Sequence, residues 1–278
     1  RELAVSTSAS PIRNQDNRVI GAVMIIRDVS EQRKIEEMKI DFINSVNHEL
    51  RTPLTSIRAY VETLLSDDNL PNQKRMEFLK VIDEESKRLG ELIESLLEIA
   101  RVKKNRDNPA SEKINLCEIA ESVCLSIEPL ALKKNIKFKK SIPAMSVVFD
   151  CEKKMMRSVF TNLLNNAVKF TNPGGMVSFS IGSDNENISV EVCDTGIGIP
   201  EKHRDKIFEK FYRVPRPDMY IPGTGLGLAI VDEIVKKYGG EIKVQSREGR
   251  GSTFTVIFPI QRRSGRIKKC GKNHVSHE

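Results

Sequence analysis

Residues 44 to 57 read NSVNHELRTPLTSI, with His48 next to Glu49, Thr52 four residues after His48, and Pro53 inside an otherwise helical pattern. Histidine is the side chain whose ordinary pKa lets it gain or lose a proton near neutrality, and its neutral ring nitrogen is a nucleophile. The adjacent carboxylate can accept a proton from that ring. Taken alone, His48 is a core histidine, a surface histidine or a reacting group, and the helix around it decides which.

A second set of candidates lies more than a hundred residues on. DTGIGIP (194–200) follows an alternating apolar stretch, and PGTGLGLAI (222–230) precedes a helical one. Asp194 at the end of a strand can accept hydrogen bonds from the exocyclic amine of a base. Gly196 and Gly198 let backbone approach a ring closely. Gly223, Gly225 and Gly227 place backbone N–H groups at a helix N-terminus, which favours phosphate. Asn162 and Asn166 are four apart and share one helix face, and amide oxygens suit a Mg²⁺ held mainly by phosphates and water. Lys169 is three residues further and within reach of a phosphate. No GxxxxGK[ST] is present, so this is not a P-loop.

The elements that position these residues follow from periodicity. With Phe42 set at 0° and about 100° per residue, Ile35, Ile43, Val46, Leu50, Leu54, Ile57, Val61 and Leu64 fall between 0° and about 120°. That is one apolar stripe on a long helix starting at Ser30, a candidate N-cap. His48 falls at about 240° and Thr52 at about 280° on the same scale, off the stripe and on one face. His48 is therefore exposed. Residues 66–72, SDDNLPN, are a turn. Met76, Leu79, Ile82, Leu89, Ile93, Leu96 and Ala100 carry a second stripe. Two such helices form an antiparallel hairpin that cannot cover both stripes alone. A homodimer forming a four-helix bundle solves this.

A polar, Pro109-containing stretch follows, and then an alternation of helices with mostly hairpin-linked strands that predicts an α/β sandwich. ELAVSTSASPI and RVIGAVMIIRD at the start read as two strands around a turn.

Composition narrows the classes. Of 278 residues, 39% are apolar and 30% charged, which predicts folded domains. The net charge is +7, and five of those charges come from residues 262–278, where six basic residues face Glu278 alone. A basic tail is ordinarily solvated, so the charge does not predict nucleic-acid binding. The five cysteines (117, 124, 151, 193 and 270) are odd in number and contain no CxxC, which predicts neither a disulfide framework nor a zinc site and fits a reducing compartment. His274 and His277 lie close together in the tail, but no further ligand cluster accompanies them, so a metal site is not predicted there. The longest clean apolar run, residues 19–26, is far short of the ~18 residues of a membrane span. Any membrane segment is expected upstream of Arg1.

These motifs, in this order, resemble sensor histidine kinases. FINSVNHELRTPLTSI looks like the H box, NLLNNAVKFT the N box, DTGIGIP the G1 box, IFEKFYR the F box and GTGLGLAI the G2 box, and the likeness covers roughly 30–261. The resemblance implies an α+β multidomain chain. Residues 1–29 would be the last strands of a PAS-like sensor domain, because VMIIRDVSEQRKIEEM is similar to a PAS exit into a signalling helix. Residues 30–103 would be that helix and the dimerisation and histidine phosphotransfer hairpin, 104–113 a linker, 114–261 a GHKL-type ATP-binding domain, and 262–278 a basic tail.

The resemblance also implies roles. ATP and Mg²⁺ are the cofactors. Asn166 holds Mg²⁺, with Asn162 supporting it. Lys169 meets phosphate and Asp194 the adenine amine. Gly196, Gly198, Gly223, Thr224, Gly225, Leu226 and Gly227 shape the pocket, and Phe208, Phe211, Tyr212 and Arg213 lead into a short, proline-rich lid. His48 would attack the γ-phosphorus of ATP with Glu49 taking the ring proton, and Mg²⁺, Lys169 and Arg213 would neutralise charge. Thr52 would orient a water that removes phosphate from the partner, a response-regulator receiver domain. Three departures stand out: Asn47 where serine is usual, Phe170 where tyrosine is frequent, Thr195 where asparagine is common. None removes a needed group. The expected setting is a cytoplasmic domain without nucleic-acid partners. The competing reading is a GHKL ATPase that drives conformational change without phosphotransfer, which leaves HELRTPL unexplained.

Proline in a helix interior loses a hydrogen bond and costs about 3 kcal/mol. We read Pro53 as a hinge beside His48. Pro53→Ala is expected to alter the ratio of autokinase to phosphatase activity, measured on the same preparation; an unchanged ratio would remove the hinge.

Overall fold

The computed structural model describes residues 3–67, 69–104, 112–216 and 223–260, and within its helices not the side chains at 34, 35, 37–39, 41, 103 and 104. Ile35 of the expected stripe and the basic tail thus lie outside the described residues. The chain divides into two compact units, 1–96 and 97–278.

In the first unit β1 (Val5–Arg13) and β2 (Val19–Asp28) form an antiparallel hairpin. Asn14 closes the turn, its side-chain oxygen accepting the N–H groups of Asp16 and Arg18 at 3.1 and 2.9 Å. Both faces of β2 are apolar and exposed, with Ile20, Val23, Met24, Ile25 and Ile26 all uncovered. A strand of this pattern is built to be buried on two sides.

α1 runs unbroken from Ser30 to Ser66, through Pro53, and α2 from Asn72 to Lys104. Ser30 does not cap α1 as expected. Asp28 accepts the Ser30 N–H at 2.9 Å, and the Ser30 hydroxyl instead accepts the Ala4 N–H at 3.0 Å, tying the helix start to β1. These bonds from Ser30 hold the Asp28 carboxyl below the usual range, and an anion at this end also suits the helix dipole. Tyr60 stacks on Phe78 with ring centres 5.0 Å apart, and Glu49 meets Arg88, so the two helices are antiparallel. Leu92 is buried at this seam's level, while Ile43, Leu54, Val61, Met76, Leu79 and Ile93 stay exposed. Among the described residues of the predicted stripes, Val46, Leu50, Ile57 and Leu64 on α1 and Ile82, Leu89 and Leu96 on α2 are half-buried, so the hairpin covers its stripes only in part.

The second unit is a two-layer sandwich. Its sheet has the order β4-β6-β7-β9-β8, comprising β4 (Lys137–Ser141), β6 (Met176–Ser183), β7 (Asn187–Asp194), β8 (Glu241–Arg247) and β9 (Gly251–Pro259). Only β4 and β6 are parallel, which requires the crossover that α4 (Lys153–Phe170) supplies. α3 (Leu116–Lys133) and α5 (Gly227–Lys237) flank α4. Strand alternation turns Val177, Phe179 and Ile181 of β6, Ile188, Val190 and Val192 of β7, and Phe254, Val256 and Phe258 of β9 toward the helices, where all are buried. Phe160 of α4 meets Phe179 edge-on at 5.5 Å.

A short ladder of β3 (Glu112–Asn115) and β5 (Val148–Cys151) stands apart. β3 was not legible in the sequence. Of the expected 104–113 linker, Lys104 closes α2 and Glu112 and Lys113 belong to β3, and residues 105–111 lie outside the described residues. Asn115 then caps α3: its Oδ1 accepts the Cys117 N–H at 3.1 Å, and its Nδ2 donates to Glu118 at 3.0 Å. Asn115→Ala is expected to lower stability by about 1 kcal/mol in urea unfolding, and Asn115→Asp by much less.

Candidate active site

His48 is exposed on α1. The Thr52 hydroxyl donates to the His48 backbone carbonyl at 3.2 Å, so the two residues share a face one turn apart. Pro53, buried, follows directly. Glu49 is placed differently from a free base. Its carboxylate lies 3.5 Å from Arg88 Nη2, and Arg88 Nη1 is also 3.7 Å from Glu85, with all three side chains a quarter exposed or less. Arg88 comes from α2, 39 residues away, and no local pattern pointed to it. Any proton transfer from His48 to Glu49 competes with this ion pair.

The second unit assembles the other candidates around α4. Asn162 and Lys169 are half-buried, and the Asn162 amide donates to the Ser158 carbonyl at 3.0 Å. The end of α4 is fixed by Lys134, whose ammonium donates to the carbonyls of Val168 and Lys169 at 3.0 and 2.6 Å. Those carbonyls would otherwise lack helical partners. The G1 turn then docks on this end, with the Ile197 N–H donating to the Phe170 carbonyl at 3.1 Å. A Cβ on Gly196 would collide with that same carbonyl, so glycine is required there.

Asp194 is 6% exposed. Its Oδ1 accepts the Gly196 N–H at 2.8 Å. Burial pushes its carboxyl up, and hydrogen bonds from the Gly196 and Ser252 backbones oppose that rise. Ser252 is the cross-strand partner of Asp194, and both are buried. The sequence reading missed Ser252 because register between β7 and β9 is not visible in a single chain.

The G2 glycines lie against the α4 candidates. A Cβ on Gly227 would come 2.7 Å from Asn162 Oδ1, and one on Gly223 would overlap the Lys169 amine. The glycines therefore keep open a space lined by an amide and an ammonium. Thr224 accepts the Leu226 N–H at 3.3 Å. Leu226 is fully buried, so its side chain belongs to the core and only its backbone can face a ligand. Asn166 is half-exposed and Arg213 exposed. Among the described residues no group of three or more His, Cys, Asp or Glu could hold a metal.

An exposed histidine on a helical hairpin, followed in the second unit by a buried carboxylate and a glycine-framed space beside Asn162 and Lys169, is the combination expected of a phosphotransfer hairpin joined to a nucleotide-binding sandwich. Residues 38–105 match the His Kinase A (phospho-acceptor) domain, and residues 151–262 match the histidine kinase-, DNA gyrase B-, and HSP90-like ATPases. The chain belongs to the sensor histidine kinases of two-component systems. It is 32% identical over 255 residues to the sensor histidine kinase WalK of Bacillus subtilis, covering 91% of this chain and 42% of that protein. It is also 32% identical over 262 residues to the sensor protein kinase WalK of Staphylococcus aureus strain JH9, covering 93% of this chain and 43% of that one. The chain thus spans less than half the length of these relatives. The solved histidine kinase ThkA, in complex with the response regulator protein TrrA, superposes over 91% of this chain and 74% of that one, with a TM-score of 0.63 and 26% identity. The Acinetobacter baumannii kinase AdeS shows the same fold at 22% identity and a TM-score of 0.62, over 76% of this chain and 97% of that one.

Because the Asp194 carboxyl is raised, the folded state holds its proton to a higher pH than the unfolded state does. Stability is therefore lost as pH rises through that window. Asp194→Asn is expected to raise the melting temperature of the nucleotide-free protein at pH 7. The gain should shrink as pH falls through the carboxylate range, and ATP binding should be lost. Calorimetry and ATP titration at both pH values check this.

Proposed function

We propose that this chain is the kinase core of a signalling protein, phosphorylating its own His48 from Mg-ATP and passing the phosphoryl group to an aspartate of a response-regulator receiver domain. The observation that carries the reading is the exposed His48 of the HELRTP motif in a chain that also holds the buried Asp194 and the glycine-framed space beside Asn162 and Lys169. An imidazole nitrogen of His48 attacks the γ-phosphorus, an N–P bond forms, the bond to the β,γ-bridging oxygen breaks, and ADP leaves. The ring proton goes to Glu49 or to water, and Glu49 must loosen its contact with Arg88 to receive it. Asp194 accepts the adenine amine, and Lys169 and Arg213 supply positive charge to the phosphates.

Mg²⁺ fits the donor set. Asn166, half-exposed on α4 between Asn162 and Lys169, which line the glycine-framed space, would offer an amide oxygen, and no all-protein cage is needed. When bound, the ion neutralises charge that develops on the phosphates. Thr52 would orient water for dephosphorylation of the receiver, giving phosphatase activity. The receiver partner is supported by the ThkA complex, which contains a response regulator.

We infer a homodimer from the apolar residues that the hairpin leaves exposed on α1 and α2, since a second hairpin would bury them as a four-helix bundle. The hairpin β1–β2, apolar on both faces of β2, supports the reading of residues 1–29 as the end of a PAS-like sensor domain. Among the described residues no helix is long and apolar enough to cross a membrane. We place the chain on the cytoplasmic side because its nucleotide and its receiver partner reside there.

Incubation with labelled ATP and Mg²⁺, beside a His48→Gln variant, tests this. A label that is alkali-stable, acid-labile and absent from the variant is expected. Hydrolysis of ATP with no label on the chain would replace this reading by an ATPase that couples nucleotide turnover to conformational change.

A further inference from the structure

The span from Phe211 to Arg216 is anchored at both ends. At its start the Phe211 N–H donates to the Gly225 carbonyl at 3.0 Å. Phe211 itself is left-handed, with φ 63°, a conformation that a non-glycine residue holds only where its surroundings enforce it. Gly225, with φ 70°, is packed so closely that a Cβ there would come 2.7 Å from the Phe211 carbonyl carbon. At the other end Arg216 Nη2 donates to the Gly198 carbonyl at 2.6 Å, and Nη1 is 4.0 Å from the Glu248 carboxylate.

The G1 turn makes the second anchor informative. Its other bonds run to the sheet, the end of α4 and the β8–β9 turn. Gly196 N–H goes to Asp194, Ile197 N–H to Phe170, and Ile199 N–H to the Ser246 hydroxyl, while the Ile197 carbonyl accepts from Gly249. The Gly198 carbonyl is instead taken by a guanidinium from outside the sandwich core. That bond is charge-assisted, and the Arg216 side chain is only 23% exposed. Pro215 and Pro217 flank Arg216 in the sequence. Proline fixes its own φ and restricts the residue before it, so little chain entropy is lost in holding Arg216 in place.

We propose that Arg216 is a positioning residue of the nucleotide pocket: it straps the 211–216 span between the phosphate-side glycine loop at Gly225 and the base-side turn at Gly198, and so fixes Arg213, which lies between the two anchors. This rests on the nucleotide reading of the second unit. Arg216 touches no phosphate in this role. It sets where Arg213 stands, and Glu248 orients its free edge.

Titration calorimetry of the whole chain with Mg²⁺ and a non-hydrolysable ATP analogue tests the strap. Arg216→Ala is expected to weaken binding about tenfold, the scale of one charge-assisted hydrogen bond. Arg216→Lys, which can still donate one bond, should recover part of the loss, and Glu248→Gln should show a smaller one. Because Arg216 acts through Arg213, the loss in the Arg213→Ala/Arg216→Ala double variant should fall short of the product of the two single losses. Wild-type affinity in Arg216→Ala, or single losses that multiply in full, would overturn the strap. Should Arg216→Ala not fold, Arg216→Lys carries the same cycle. If the wild-type chain binds no analogue, the nucleotide reading fails separately. The strap is then judged by amide exchange over 212–216, which Arg216→Ala must accelerate; unchanged exchange overturns it.

Discussion

The second unit is organised around one costly burial, the carboxylate of Asp194. A carboxylate taken from water needs donors, and here the Gly196 N–H and the Ser252 backbone supply them. Each donor constrains a neighbour. Gly196 must be glycine because the Phe170 carbonyl leaves no room for a Cβ. The Phe170 carbonyl is where it is because α4 ends there, and α4 ends there with Lys134 holding its last carbonyls. Gly251 must be glycine because a Cβ would strike the Asp194 carbonyl. The carboxylate, the G1 turn, the end of α4 and the β8–β9 turn thus form a single interlocked set. The burial works against stability in the empty protein, and that preorganisation is what a base amine would meet.

The first unit solves a different problem. Its helices must keep one histidine exposed while their apolar stripes are covered. The antiparallel hairpin covers them only in part, through contacts such as Tyr60 with Phe78. The remainder stays exposed, and that surplus is the physical basis for the proposed pairing of two hairpins. Pro53 is accommodated without breaking α1, although it removes one rung of the helical ladder directly after Thr52. The missing rung at Pro53 and the largely buried Glu49–Arg88 ion pair thus both lie close to the proposed phosphorylation site.

Periodicity by itself determined the hairpin of two long helices, the exposure of His48 and the shared face of His48 and Thr52, and motif order singled out Asp194, Asn162, Lys169 and the glycines as candidates. These rest on local rules, 3.6 residues per turn for the stripes and backbone freedom for the glycines. What only the tertiary structure decided lies between segments distant in sequence. Ser30 opens α1 without capping it, its N–H held by Asp28 and its hydroxyl drawn to Ala4 across the hairpin. β3 exists because β5 is there to pair with it. The Leu226 side chain, which the resemblance assigned to the pocket with the rest of the G2 box, is buried in the core. Arg88 on Glu49, Ser252 beside Asp194, and Arg216 on Gly198 each depend on strand register or helix packing. A single sequence carries the period of its elements, but which rows of two elements face each other is settled by packing, and every partner missed was of that kind.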